Sequence, residues 1–284
     1  MDHDLGSDVG RDLGGATASS SDAGTRAAVV TGSESGIGRA TALALARDGF
    51  DIGVTWFADE AAGHRTAELV RERGRRAEVA HLDLTRLPGA ETVIDEFADG
   101  FGRLDVLVNA AGDNRAAPFT ETDFEDFRHV MRVDLEGPFL LSQRAARRMI
   151  AQRRGGRIVN VTSVHEHTPL PSSVSYNTAK HALGGLTKSM ALELAEHGIT
   201  VNAVAPGLIA TRMSGLEDAD VHSVHRPALP VSRPGDPREV ASLIVWLASD
   251  AAAYATGQSY PVDGGFLIAN PQFTTVNFGA RDGD

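Results

Sequence analysis

Tyr176 and Lys180 stand four residues apart in the segment SVSYNTAKHALGG, residues 173–185. Residues at this spacing share one face of a helix, so a phenol and an ammonium group can project into the same site. A nearby cation stabilises a phenolate, and such a phenol can exchange a proton with a carbonyl or alcohol oxygen near neutral pH. Taken alone, the pair is also typical of a solvent-exposed helix surface, so its meaning depends on its surroundings.

Ser163 lies thirteen residues before Tyr176 and ends the apolar run GRIVNVTS, residues 156–163. If this run is a strand that leads into a helix over residues 175–198, the Ser163 hydroxyl lies at the end of the strand that precedes the helix. It can then hydrogen-bond the same substrate oxygen as Tyr176. The three residues together predict an acid–base site for a carbonyl or an alcohol.

A glycine-rich turn is the second chemical feature. TGSESGIG, residues 31–38, follows the apolar run AAVV and opens a helical pattern. Its glycines permit a tight turn and a close approach of a pyrophosphate to the N-terminus of the helix, where free N–H groups favour anions. This context predicts a dinucleotide site. The expected contacts from this turn are Gly32, Glu34, Ser35, Gly36, Ile37 and Gly38.

Alternating apolar runs and helical patterns fill the rest of the chain. We predict strands over residues 27–32, 51–57, 77–84, 104–112, 156–163, 199–207 and 257–265. We predict helices over residues 37–50, 61–74, 91–102, 124–152, 175–198 and 238–250. Seven strands with intervening helices imply an α/β protein with a parallel sheet covered on both faces. No linker divides the chain, so we expect a single domain over residues 26–273.

Several candidate residues fall at the ends of these predicted strands. Ligands of an open parallel sheet lie beyond the carboxyl ends of its strands. The residues expected at this edge are Asp83, Asn109, Ala110, Gly112, Ser163, Pro206 and Gly207.

Composition excludes several classes of partner. The net charge is −11, with 38 acidic and 27 basic residues. The sequence has no basic stripe that would bind nucleic acid or an anionic membrane. Cysteine is absent, and no apolar run approaches the ~20 residues of a membrane helix. Residues 1–25 are rich in Gly, Ser, Asp and Ala and predict a disordered extension without a secretory signal, and residues 274–284 predict a loose tail. We expect a cytoplasmic protein.

The ordered segments TGSESGIG (31–38), NAAG (109–112), Ser163, YNTAK (176–180) and PGLIAT (206–211) resemble the motif set of the short-chain dehydrogenase/reductases. The resemblance implies a doubly wound Rossmann fold and an NAD(P)-dependent oxidoreductase that moves hydride between nicotinamide and a carbonyl or secondary alcohol. It implies Tyr176 as the acid/base, Lys180 on the nicotinamide ribose and Ser163 on the substrate oxygen. The branch it resembles contains glucose dehydrogenases and acetoin or 3-oxoacyl reductases.

The same resemblance implies further contacts and an assembly. Asp83 would contact the adenine and Thr211 the carboxamide, and Leu84 and Ile209 would line the same cofactor site. The family also implies a homotetramer, in which the ending FLIANPQF, residues 266–273, reaches a neighbouring subunit.

Two positions depart from the family pattern. Asp134, in VDLEG, stands where the family usually has an asparagine that supports a water in a proton relay from the lysine. An ionised aspartate accepts hydrogen bonds but donates none, so we expect Asp134 to be part of a catalytic relay with altered pH dependence. Ala110 replaces a usual second asparagine, and we expect little consequence.

The choice of nicotinamide depends on the end of the second strand. A carboxylate there favours NAD and an arginine favours NADP. Trp56 occupies the usual acidic position and Phe57 the usual basic one, and both are candidate cofactor contacts. Because no acid is placed to chelate the ribose, the sequence favours NADP over NAD. Packing of Trp56 in the core is the alternative.

Two further hypotheses concern metal and activity. His165, Glu166 and His167 include metal-ligand types, but adjacent loop residues need not converge. We expect some of these side chains to line the substrate pocket or its rim, with no metal bound. We expect an enzyme rather than a binding protein, because Ser163, Tyr176 and Lys180 are all present. Its substrate would be a small carbonyl compound or alcohol, whether ketone, diketone, 3-oxoacyl compound, sugar or polyol. The alternative is a catalytically inactive dinucleotide-binding regulator or scaffold.

Overall fold

The computed structural model describes residues 24–269. The predicted N-terminal extension lies outside the described residues except for its last two positions, and the predicted tail lies outside them entirely. Seven strands are present: β1 (Ala27–Val30), β2 (Asp51–Trp56), β3 (Ala77–His81), β4 (Val106–Asn109), β5 (Gly156–Val161), β6 (Ile199–Pro206) and β7 (Ser259–Val262).

Seven α-helices connect or flank these strands. They are α1 (Gly36–Arg47), α2 (Glu60–Arg71), α3 (Val93–Phe101), α4 (Phe124–Met131), α5 (Gly137–Gln152), α6 (Val174–Leu194) and α7 (Pro237–Ala248). In the part of the chain that the structure describes, none of these helices combines the length and apolarity that a membrane span requires.

All seven strands pair in parallel in the order β3-β2-β1-β4-β5-β6-β7. The strand order reverses between β1 and β4, so the chain leaves these neighbouring strands toward opposite faces of the sheet. A crevice forms at such a switch point, beyond the carboxyl ends of the strands. The predicted doubly wound α/β fold is confirmed.

Each face of the sheet carries its own apolar layer. Because side chains alternate along a strand, Val30 of β1 packs against the layer under α1, α2 and α7, whereas Val29 packs under α3, α5 and α6. Leu45 and Ile244 are fully buried in the first layer, and Leu141 is fully buried in the second. The sheet is thus covered on both sides, as its near-continuous apolar strands require.

The observed boundaries correct several predicted ones. Strand β3 ends at His81 rather than at 84, β4 covers only 106–109, and β7 only 259–262, because the chain beyond each strand turns to form the rim of the crevice. The predicted helix over 124–152 is interrupted by a π-helical turn at Arg132–Glu136. Such turns shift side chains relative to the regular helix and occur often at functional sites.

Phe97 tests the packing of the second layer. Its buried ring lies against Gly53 of β2, where an added Cβ would come within 2.9 Å of the ring. Phe97→Ala should therefore lower the free energy of unfolding by about 3 kcal/mol through lost burial and a residual cavity. Guanidinium denaturation at fixed protein concentration measures the change.

Phe101 gives the matched control on the same helix. Its ring stacks on Phe97 with centroids 6.4 Å apart, but it is partly exposed. Phe101→Ala should lower the free energy of unfolding by about 1 kcal/mol. Equal losses for the two variants would contradict the assignment of Phe97 to the core.

Candidate active site

The glycine-rich turn after β1 is fastened to the end of β4. The Thr31 hydroxyl accepts hydrogen bonds from the N–H groups of Ala110 and Ala111, both at 3.0 Å. Gly32 has φ +64°, and a Cβ there would lie 2.9 Å from the Cα of Ala111. Only glycine fits this close approach, which brings the segments 31–38 and 109–112 together.

The N-terminus of α1 is left open beside this turn. No side chain caps the helix at Ser35, and its first turn contains no acidic residue. Gly36 has φ +51°, and a Cβ on it would lie 3.2 Å from the Thr211 methyl group, so the loop after β6 also meets the turn. Free N–H groups surrounded by small residues suit a pyrophosphate. The described residues therefore fit the dinucleotide that the sequence predicts.

Asp134 and Lys180 form a buried ion pair. Lys180 Nζ lies 3.0 Å from Asp134 Oδ2, and their side chains are 4% and 0% exposed. Lys180 Nζ also donates to the Val161 carbonyl oxygen at 3.1 Å, and Asp134 Oδ1 accepts from the Asp113 N–H at 2.8 Å. An ammonium group has three N–H donors. Two of them face Asp134 and Val161, so one remains for another partner.

The two members of this pair influence each other's protonation. Burial raises the pKa of Asp134 above its ordinary value, an effect that the Lys180 charge and the Asp113 N–H offset only in part. Burial alone would lower the pKa of Lys180, but the Asp134 carboxylate, together with Tyr176 and Glu166, outweighs that effect. The pKa of Lys180 is therefore raised, and the residue stays cationic at neutral pH.

Tyr176 lies on the same helix face as Lys180, as the spacing predicts. Lys180 Nζ is 5.4 Å from the centroid of the half-buried Tyr176 ring. Ser163 is 5% exposed, and its Oγ accepts the His165 N–H at 3.1 Å, so its own O–H remains available to donate. The His165 ring stands edge-on to Tyr176, with centroids 6.4 Å apart. The fold thus brings the predicted acid–base residues to one edge of the sheet.

Phe266 closes the other side of His165. Their ring centroids are 6.2 Å apart, again edge to face. The His165 Nδ1 lies 2.9 Å from the Thr168 carbonyl oxygen, and because a carbonyl only accepts, Nδ1 carries the proton. In the neutral ring the other nitrogen, Nε2, is then an acceptor.

Some predicted cofactor contacts have side chains engaged elsewhere. The Asn109 amide donates to Ser142 Oγ at 3.0 Å and to Asn160 Oδ1 at 2.8 Å, inside the fold. The Trp56 side chain packs on Gly63 of α2, where a Cβ would lie 2.9 Å from it, and its ring is 4.4 Å from that of His81. Trp56 thus packs against α2 and β3, in line with the alternative that the sequence left open.

Asp83 lies at the rim with its carboxylate already hydrogen-bonded. Its Oδ1 accepts from the Thr85 N–H and hydroxyl at 2.9 and 2.6 Å, and its Oδ2 lies 3.2 Å from Arg86 Nε. Burial alone would raise the pKa of Asp83, but Thr85, Arg86 and His81 outweigh it and hold that pKa below its ordinary value. Asp83 is therefore an ionised, fixed acceptor.

The remaining predicted contacts divide between rim and core. Leu84 is buried against Gly137, and Ile209 is buried against Gly235. Pro206 ends β6, and Gly207 packs so closely on Asp263 that a Cβ would lie 2.9 Å from its Cα.

Two residues of the site carry roles that the sequence analysis did not assign. Asp113 contributes its main-chain N–H, which no side-chain pattern signals. Glu166 is buried, lies against Gly184, and accepts from Ser259 Oγ at 3.0 Å. Within residues 24–269, no three histidine, aspartate or glutamate side chains are grouped to hold a metal ion.

The fold and this arrangement define a dinucleotide-binding oxidoreductase with a tyrosine–lysine pair at its catalytic end. A family model described as enoyl-(acyl carrier protein) reductase, one of the short-chain dehydrogenase/reductase models, matches residues 31–267. The chain belongs to the short-chain dehydrogenase/reductase family, as its motifs indicate.

Individual relatives agree with this assignment. The chain is 54% identical to the uncharacterized oxidoreductase YohF of Escherichia coli (strain K12), over 87% of this chain and 97% of the relative. A crystal structure of acetoin dehydrogenase from Enterobacter cloacae superposes on this chain with a TM-score of 0.83 and 57% sequence identity. The match covers 87% of this chain and 98% of that protein. A putative 2-deoxy-D-gluconate 3-dehydrogenase from Agrobacterium tumefaciens with bound NADP is 33% identical, with a TM-score of 0.76 and coverage of 86% and 97%.

Asp134→Asn tests the ion pair through pH. The variant removes the carboxylate that raises the Lys180 pKa, so Lys180 should lose its proton at lower pH than in the wild type. Because a raised lysine pKa stabilises the fold until pH passes through the folded value, wild-type thermal stability should also persist further above pH 10.5, the ordinary lysine value. Rate and melting profiles against pH measure both effects.

Asp113→Asn is the control for this substitution. It makes the same chemical change on a carboxylate that is half exposed and bound to His129, and it keeps the N–H that Asp134 accepts. Its profiles should stay close to those of the wild type, because the Asp113 charge is a small contribution to the Asp134 pKa beside burial and Lys180. Asp134→Asn should retain turnover within about tenfold at neutral pH. Superimposable profiles for Asp134→Asn and the wild type would exclude a role for the carboxylate.

Proposed function

We propose that this chain catalyses the reversible NAD(P)-dependent reduction of a small ketone to a secondary alcohol, with a vicinal hydroxyketone or diketone of the acetoin type as substrate. The observation that carries the proposal is the grouping of Tyr176 with the buried Lys180–Asp134 pair beside a glycine-rich turn shaped for a dinucleotide. The identity to a protein described as acetoin dehydrogenase supports the substrate class.

Each residue has a defined task in this reaction. Ser163, whose hydroxyl proton is free, donates to the substrate oxygen, and Tyr176 gives that oxygen a proton during reduction or takes it during oxidation. Lys180 would hold the nicotinamide ribose with an N–H that Val161 and Asp134 leave available. A bound nicotinamide would supply the hydride for reduction or accept it in oxidation.

The surroundings of Tyr176 suit a compact substrate with a second oxygen. The His165 ring stands next to Tyr176 and offers a polar group, and the Phe266 ring packs against His165. Because Nδ1 of His165 is bound to the Thr168 carbonyl oxygen, Nε2 of the neutral ring accepts a hydrogen bond from a hydroxyl. A hydroxyl next to the reacting carbon, as in a hydroxyketone or a vicinal diol, meets this requirement.

Tyr176→Phe tests the catalytic proposal. Removing the phenolic proton should reduce turnover of acetoin and diacetyl by about 10²–10⁴-fold, while the dinucleotide still binds. Tyr260→Phe, on β7 beside Trp246, is the matched control and should leave turnover unchanged. Absorbance of the reduced nicotinamide follows the reaction.

Two results of this experiment would count against the proposal. Undiminished turnover in Tyr176→Phe would remove Tyr176 from the mechanism. Wild-type protein that binds a dinucleotide but turns over no ketone, hydroxyketone, 3-oxoacyl ester or sugar would favour the inactive regulator or scaffold.

We also propose that the chain acts as a cytoplasmic homotetramer. Large apolar side chains are exposed on α4, α5 and α6, where Phe124 is 67%, Phe139 43% and Leu192 84% exposed. Trp246 of α7, which covers the other face of the sheet, is 41% exposed. Exposed apolar side chains on both sides of the sheet suit the two interfaces that a four-subunit assembly needs.

Light scattering coupled to size-exclusion chromatography tests the assembly. The wild type should have the mass of four chains, and Phe124→Glu should reduce it to two because a charge is then buried in one of the two interfaces. The exposed Glu125→Gln on the same helix is the control. A monomeric wild type at micromolar concentration would contradict the proposal.

A further inference from the structure

Glu34 brings a carboxylate to the end of β2 from outside that strand. Its Oε1 accepts the Phe57 N–H at 3.3 Å, although the two residues are 23 positions apart. The turn that carries it is pinned to β2, because Thr55 accepts from Gly32 at 3.1 Å and donates its N–H to Ser33 Oγ at 3.0 Å. Glu34 thus occupies the position beyond β2 where an adenosine ribose is recognised in this class of fold.

The second oxygen of this carboxylate is buried and has a free acceptor site. Glu34 Oε2 is sealed from solvent, and no described residue hydrogen-bonds it. A buried acceptor without a donor costs free energy, so such an atom points to a ligand that donates. The two hydroxyl groups of a ribose are donors of this kind, whereas a phosphate ester dianion brings acceptors only.

The neighbouring cations are already engaged. The Arg39 guanidinium donates to the main-chain oxygen of Glu34 and, at 3.2 Å, to Thr66 Oγ1. Arg212 donates to Glu217 Oε2 at 3.1 Å and lies 4.0 Å from Asp59 Oδ2. Arg212 is therefore paired with two carboxylates, whereas Arg39 is held by two neutral acceptors. Neither guanidinium group donates to Glu34 Oε2, so this oxygen keeps its acceptor site.

We infer that Glu34 is the residue that selects NAD over NADP in this chain, by accepting a hydrogen bond from the adenosine ribose and repelling a 2′-phosphate. The inference rests on the nicotinamide half of the proposed function. It reverses the preference for NADP that the missing acid at Trp56 suggested. The acid is present, but the glycine-rich turn supplies it rather than the strand.

Direct binding of the reduced dinucleotides tests this assignment without catalysis. Quenching of the protein fluorescence, or calorimetry, gives the dissociation constants of NADH and NADPH for the wild type, which should bind NADH at least about tenfold more tightly. Glu34→Gln keeps the size of the side chain and removes its charge. The variant should bind NADPH more tightly and NADH more weakly, so that the ratio of the two constants changes about tenfold or more.

Glu60→Gln is the matched control, since Glu60 lies at the start of α2, close in sequence to β2, and its exposed carboxylate lies 3.8 Å from His64 Nε2. It should leave the ratio unchanged. A wild type that binds NADPH as tightly as NADH overturns the inference, whether or not any variant folds. So does an unchanged ratio in folded Glu34→Gln.

Binding and turnover measured together distinguish a failure of this inference from a failure of the proposed function. Absence of binding by either dinucleotide would overturn both. Tight binding of both, with turnover but without discrimination, would overturn the role of Glu34 alone.

Discussion

An ammonium group that is sealed from water needs a counter-charge, and in this chain Asp134 supplies it to Lys180. Asp134 lies within the π-helical turn at Arg132–Glu136, where the backbone departs from regular helix and the carboxylate reaches Lys180. Gly112 must also stay small, since a Cβ there would lie 3.1 Å from Asp134 Oδ2 and 3.5 Å from Lys180 Nζ. The helix interruption, the loop after β4 and the catalytic helix therefore depend on one another through this pair.

The rest of the crevice is assembled by contacts between loops that are distant in sequence. Gly32 meets Ala111, and Gly36 meets Thr211, so the turns after β1, β4 and β6 converge at the topological switch point. Backbone hydrogen bonds to the Thr31 hydroxyl hold two of these turns in register. Small residues are needed here because main-chain atoms approach one another directly, which leaves the helix N-terminus of α1 accessible.

Local patterns predicted the strands, the order of elements and the partners Tyr176 and Lys180, because each depends on periodicity or on spacing within one helix. The π turn escaped prediction, since the apolar pattern over 124–152 is typical of continuous helix and the change to wider i→i+5 hydrogen bonding leaves no signal in it. The position of Trp56 also escaped, because Gly63 and His81 decide it across the fold. A sequence places the Glu34 side chain on a turn but does not show that it reaches β2.

The ion pair also changes what Lys180 contributes to Tyr176. An isolated ammonium would act on the phenol as a full positive charge, but the Asp134 carboxylate 3.0 Å away cancels much of that field at longer range. Lys180 Nζ is held by its hydrogen bond to the Val161 carbonyl oxygen and by its charge contact with Asp134, so the fold restricts where its remaining N–H groups point. Asp134 receives its other hydrogen bond from the Asp113 main chain, which cannot exchange a proton under these conditions. In the proposed reaction, Lys180 would therefore serve chiefly as a positioned N–H donor, and Tyr176 would be the group that moves the proton.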